Sequence, residues 1–73
     1  MFSSKINQLL DEKGVSTYAI AEKSGVSRQS LFKARQDAGI SECRLSTLGR
    51  IANALEVPVK ELFDGEYEPD GNR

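Results

Sequence analysis

The sequence Ser16-Thr-Tyr-Ala-Ile-Ala-Glu-Lys-Ser-Gly-Val-Ser-Arg-Gln-Ser-Leu-Phe-Lys-Ala-Arg35 predicts two short helices joined by a tight turn. Ser16 and Ser27 each precede a helical pattern, in the position of a residue that caps a helix N-terminus. Gly25 lies where the first helix must stop, because glycine adopts the left-handed conformation without a Cβ penalty. The first of the two helices is therefore predicted over Thr17–Ser24 and buries Ile20.

The second helix of this pair has an apolar face and a polar face. Val26 is predicted to turn inward before it, and Leu31 and Ala34 supply its inner face at i, i+3 spacing. The side chains left on the outward face are Arg28, Gln29, Phe32 and Lys33. A compact helix pair that displays hydrogen-bond donors on one side is typical of the helix-turn-helix, which enters the major groove of DNA.

Ser16–Arg35 resembles the helix-turn-helix of the lambda-repressor-like family, which includes XRE-type regulators and phage Cro and repressor proteins. Outside the motif, Lys5–Gly14 is similar to the first helix of that family, and Leu45–Phe63 is similar to its fourth and fifth helices. The resemblance implies an all-α fold, a compact five-helix lambda-repressor-like DNA-binding domain with a helix-turn-helix, over residues 1–63.

The apolar pattern predicts the first helix over residues 3–13, capped by Ser3 or Ser4. Its apolar stripe contains Phe2, Ile6, Leu9 and Leu10. After this helix ends at Gly14, Val15 is expected to pack inward.

A longer helix is predicted over Leu45–Leu55, with Leu45 as the first residue of its buried stripe. Residues 36–44 before it are predicted to form a loop, from which Ile40 returns to the core. A short fifth helix is predicted over Val59–Phe63.

The net charge of −1 is not the basic balance expected of a DNA-binding protein, but its distribution is uneven. Residues 1–50 hold eight basic and five acidic side chains, which gives +3, and residues 51–73 hold two basic and six acidic ones, which gives −4. The acidic end can therefore point away from phosphate. Within it, residues 64–73 are acidic and rich in helix breakers, which predicts a disordered tail.

Composition argues against several other classes of protein. With no His and one Cys, the chain cannot build a disulfide framework, a Cys–His nucleophile or an ordinary zinc site. There is also no Gly-rich phosphate loop, so no enzyme activity, no cofactor and no metal are expected. No apolar run approaches the ~20 residues that span a bilayer. We therefore expect a cytoplasmic protein with no membrane contact.

Base contacts are expected from the recognition helix, predicted over about residues 28–36. Arg can bond guanine O6 and N7, and Gln can bond adenine N6 and N7, each pair giving about 1–3 kcal/mol of discrimination. The candidate base-contacting residues are Arg28, Gln29, Ser30 and Lys33. Two interpretations of Phe32 stay open: contact with a thymine methyl group, or packing on the connection that follows the helix.

Phosphate contacts follow from the resemblance, which implies that the amino end of the second helix and the connection after the third lie along the DNA backbone. The candidates are Ser16, Thr17, Tyr18, Ser27, Arg35, Ser41 and Arg44. For Tyr18 the alternative is a half-buried surface ring. Glu42, in the same connection, would repel phosphate.

These features predict a sequence-specific regulator that binds double-stranded DNA, repressor-like, as a homodimer on a palindromic site. The alternative is a protein-interaction module or antitoxin-type adaptor of the same fold. Such an adaptor would bind its partner through Leu62, Phe63 and the acidic tail.

Overall fold

The computed structural model describes residues 2–65, and within this range the chain is mainly helical. Its elements in chain order are strand β1 (Phe2–Ser4), helices α1 (Ile6–Lys13), α2 (Thr17–Ser24), α3 (Arg28–Ala34), α4 (Asp37–Ile40) and α5 (Leu45–Leu55), a 3₁₀ helix (Val59–Leu62) and strand β2 (Phe63–Gly65). The predicted all-α class with five helices is confirmed, with a small strand pair in addition. Residues 66–73, most of the predicted tail, lie outside the described residues.

The local signals of the helix-turn-helix operate as predicted. The Ser16 hydroxyl accepts the backbone N–H of Ala19 at 3.0 Å, and the Ser27 hydroxyl accepts that of Ser30 at 3.1 Å. Gly25 has a φ of +75° and donates its N–H to the Ala21 carbonyl at 3.0 Å. Both ends of α2 and the start of α3 are therefore fixed by residues within the motif.

One apolar core joins the elements. Its largest fully buried side chains are Ile6, Leu31, Ile51 and Leu62, which come from α1, α3, α5 and the 3₁₀ helix respectively. Helix α5 supplies five of the buried residues and contacts α2, α3 and the 3₁₀ helix. Leu31 and Ala34 fasten α3 to this core, and both are completely buried as predicted.

The N-terminal residues form a strand, so the prediction of helix from residue 3 is wrong. β1 pairs antiparallel with β2, with Ser4 opposite Phe63. The rings of Phe2 and Phe63 meet edge to face with centroids 5.6 Å apart. Lys5, and neither of the predicted serines, occupies the cap position of α1. The predicted fifth helix also ends one residue early, because Phe63 belongs to the strand pair.

The connection predicted as a loop contains the one-turn helix α4. Ile40 within it is buried, as predicted. The Asp37 carboxylate accepts the backbone N–H of Ser4 at 2.8 Å, and the Ser4 hydroxyl donates to the Ala34 carbonyl at 2.7 Å. These two bonds tie α4 and the end of α3 to β1. Helix α3 ends at Ala34, two residues before the predicted end at Gln36, because Gln36 is extended and serves as the cap of α4.

Two apolar residues predicted to be buried are exposed. Leu45 is 73% exposed because it is the first residue of α5, and the buried stripe of that helix begins only at Leu48. Val15 is 37% exposed and lines an open groove between α2 and the end of α5. Helical spacing predicts the face on which a residue lies, but not whether another element covers that part of the face.

Gly39 allows α4 to approach the end of α3. A Cβ at this position would overlap the backbone carbonyl oxygen of Lys33 and lie 2.8 Å from its Cγ, whereas a Cβ at Gly49 in α5 would meet no atom within 4 Å. We expect Gly39→Ala to lower the free energy of unfolding by about 1–3 kcal/mol, as overpacking does. Gly49→Ala should raise it by about 0.5–1 kcal/mol through helix propensity. Urea denaturation of both variants tests this, and equal shifts of the same sign would contradict it.

Candidate nucleic-acid interface

The outward face of α3 carries the residues predicted to contact bases. Arg28, Gln29 and Lys33 are exposed, opposite the buried Leu31 and Ala34. Ser30 is partly exposed, and its hydroxyl lies 3.0 Å from that of Ser27. The apolar side of the helix thus fixes which polar side chains face solvent.

On the α2 side of this face, Arg28 stacks on Tyr18. The guanidinium carbon lies 4.8 Å from the ring centroid. Tyr18 is 55% exposed, and its hydroxyl donates to the Glu22 carboxylate at 3.4 Å. Such a cation–π contact contributes about 0.5–1 kcal/mol at an exposed site, which is enough to favour one orientation of Arg28 before any ligand binds.

On the other side, α3 and the segment before α5 enclose a groove of about 320 Å³. It is lined by Ser30, Lys33, Glu42, Cys43, Arg44 and Thr47. The structure therefore brings two predicted base-contacting residues together with Arg44, a predicted phosphate-contacting residue. Arg44 is exposed at the start of α5.

Lys33 and Glu42 form an ion pair across this groove, with Nζ and Oε1 3.3 Å apart. Both side chains are more than half exposed, so the pair is worth little to stability. From the sequence, Glu42 is expected to repel phosphate as an unpaired charge. In the structure it is paired with Lys33 and neutralises that lysine of the candidate interface. No sequence spacing reveals this pair, because its partners lie in different elements.

Thr47, also on the groove wall, is a further residue that sequence reasoning missed. It lies in the first turn of α5, one turn after Arg44. Cys43 lies beside it, and burial raises the pKa of the Cys43 thiol, with Lys33 opposing the rise and Glu42 adding to it. The thiol donates to the Gly39 carbonyl at 3.4 Å and is not a poised nucleophile.

The other predicted phosphate-contacting residues are dispersed. Arg35 turns to α1, where its Nε donates to Asn7 Oδ1 at 2.6 Å. The exposed Ser41 donates its hydroxyl to the Ala38 carbonyl at 3.0 Å and lines a separate hollow beside Phe2. Of the residues at the start of α2, Ser16 is exposed and acts as the cap, and Thr17 is partly exposed.

The candidate surface for a protein partner is smaller than predicted. Leu62 is completely buried, and Phe63 is partly buried against Phe2 and the core. The remainder of that surface, the acidic tail, falls mainly outside the described residues.

Within residues 2–65 no helix is both long enough and apolar enough to cross a membrane. In the same range His, Cys, Asp and Glu form no group of three or more that could hold a metal ion.

A family model described as the Cro/C1-type HTH DNA-binding domain matches residues 5–70. Comparisons with curated proteins and with solved structures give no match. The matched range contains every α-helix of the structure, including α2 and α3 with their caps. The chain therefore belongs to the Cro/C1-type helix-turn-helix DNA-binding family, and its partner is double-stranded DNA.

Proposed function

We propose that the protein is a sequence-specific, repressor-like regulator that inserts the amino end of α3 into the major groove. The observation that carries this proposal is the polar face of α3, which Leu31 and Ala34 hold outward by burying the opposite side. Arg28 and Gln29 lie in the first turn of this helix, the part that reaches base edges in this mode of docking.

Base readout is assigned to Arg28, Gln29, Ser30 and Lys33. Backbone phosphates are assigned to Arg44 on the groove, to Tyr18 and Ser27 beside the first turn of α3, and to the more dispersed Ser16, Thr17, Arg35 and Ser41. This function involves no catalysis. We expect the protein to act on DNA in the cytoplasm, the predicted location.

A homodimer on a palindromic site belongs to the same proposal. A helix of seven residues offers few base contacts, so one domain covers only a short half-site. Two domains on half-sites about 34–36 Å apart would join their contacts on one side of the duplex. Repression would then follow from occupancy of the site.

Selection of bound duplexes from a random DNA pool at stated salt tests this function. The expected result is an inverted repeat. The logarithm of its binding constant should fall linearly with the logarithm of the salt concentration, with a slope of about −0.9 for each phosphate neutralised. The adaptor alternative predicts that no duplex is enriched at low salt and that partner binding is insensitive to salt. A single unrepeated half-site would contradict the dimer and leave the DNA-binding role intact.

The Lys33–Glu42 pair yields a prediction about affinity. Lys33 can reach a phosphate as well as a base edge, and a phosphate that approaches it must compete with the Glu42 carboxylate, which lies 3.3 Å from Nζ. We expect Glu42→Gln to strengthen binding to all sequences alike, by up to about fivefold, the upper range for an exposed pair. The salt slope should steepen by about 0.9, because Lys33 becomes free to neutralise one more phosphate. Fluorescence anisotropy over a salt series measures both quantities.

Glu56→Gln is the matched control. Glu56 pairs with Lys23 at 3.6 Å, with both side chains similarly exposed, but it lies at the end of α5 away from α3. Glu56→Gln removes the same charge as Glu42→Gln, so any general effect of net charge on DNA affinity appears in both variants. Equal gains in the two variants would contradict a specific role for Glu42.

A further inference from the structure

Phe32 is an exposed aromatic residue on an otherwise polar helix face. Phe32 is 59% exposed, whereas the residue before it in the helix, Leu31, is completely buried. At 100° per residue, Phe32 and Lys33 flank Gln29 on the outward side of α3. A large apolar ring therefore lies within the surface assigned to base readout.

More than half of this residue stays exposed to solvent. The connection that could have folded over it forms α4, which instead is bonded to β1 through Asp37 and Ser4. The aromatic contact in the described part of the chain, between Phe2 and Phe63, lies at the strand pair and does not involve Phe32. Within residues 2–65, Phe32 belongs neither to the core cluster nor to the partly buried apolar residues that pack against it.

We propose that Phe32 recognises the 5-methyl group of a thymine, next to the base read by Gln29. This inference rests on the proposed function. A phenyl ring can neither donate a hydrogen bond to a base edge nor neutralise a phosphate. The apolar feature that the major groove displays is the thymine methyl group, so it is the group that such a ring can distinguish there. Phe32 thus adds an apolar contact to the thymine methyl group, which the hydrogen-bonding residues of α3 do not supply.

The test replaces thymine by deoxyuridine, which lacks only this methyl group, at each thymine of the selected duplex in turn. For the wild-type protein we expect one position per half-site at which the change weakens binding about fourfold, the value of one buried methyl group. Phe32→Ala should bind the thymine and deoxyuridine duplexes equally. Phe32→Leu should keep part of the difference, because it keeps an apolar contact.

Val15→Ala is the control, since it shortens an exposed apolar residue on another part of the molecule and should leave the full fourfold difference. Circular dichroism checks that each variant is folded, which the exposure of Phe32 leads us to expect. If wild-type protein binds a selected duplex but no deoxyuridine weakens it, or if the difference survives in Phe32→Ala, the assignment of Phe32 fails and the proposed function stands. If no duplex is selected at all, both fail.

Discussion

Leu31→Ala is expected to leave much of the protein unfolded. Leu31 is completely buried and connects the recognition helix to the core. Truncation of a buried leucine costs about 2–5 kcal/mol, because it removes apolar contacts and leaves a cavity. A single core in a domain of this size supplies only about 3–5 kcal/mol in total. The loss is therefore comparable to the whole stability, and it should appear as a lower urea midpoint in circular dichroism.

Leu31→Met is the matched control for this variant. It keeps nearly the same side-chain volume and should cost less than about 1.5 kcal/mol. It should also keep DNA affinity, since Leu31 faces away from the polar side of α3. A Leu31→Ala protein with an unchanged urea midpoint would show that α3 is not fastened to the core through this residue.

Arg28→Ala should produce the largest change in sequence preference. Arg28 occupies the first position of α3 and lies 4.8 Å above the Tyr18 ring. Loss of a bidentate contact to guanine lowers discrimination at that position by about 1–3 kcal/mol. We expect Gln29→Ala to act in the same way at a different base pair. Competition binding against duplexes with single base changes measures the preference at each position.

Arg44→Ala is the contrasting variant, because Arg44 lies on the groove wall and is assigned to phosphate. It should weaken binding to all sequences alike and reduce the magnitude of the salt slope by about 0.9. A loss of affinity for only some sequences with Arg44→Ala would contradict the phosphate assignment of Arg44. Unchanged sequence preference with Arg28→Ala would contradict the base-readout assignment of Arg28.

The features predicted correctly from sequence are those that neighbouring residues determine. Ser16, Gly25 and Ser27 act through bonds to groups three or four positions away, so their roles are visible in the sequence. The same holds for the buried face of α3, where Leu31 and Ala34 recur at helical spacing. The helix-turn-helix is therefore locally encoded.

The features that were missed depend on residues far apart in the chain. β1 forms because Phe2–Ser4 meets Phe63–Gly65, and no pattern within three residues predicts such a pairing. Helix α4 is similarly held by Ser4, which bonds to the Asp37 carboxylate.

The candidate site divides in the same way. Arg28, Gln29 and Lys33 could be predicted because their exposure follows from helix periodicity. The contact between Arg28 and Tyr18 could not, because it joins two helices and depends on how they cross. The groove that unites Lys33 with Arg44 likewise depends on where the end of α4 places the start of α5.

Backbone amide chemical shifts, followed by NMR during titration with a selected duplex, show whether α3 is the element that enters the DNA. We expect the largest changes at residues 16–18, 27–33 and 41–47, with β1 and β2 nearly unaffected. Changes concentrated on β1, β2 and the 3₁₀ helix, with α3 unchanged, would contradict the docking of α3 in the groove.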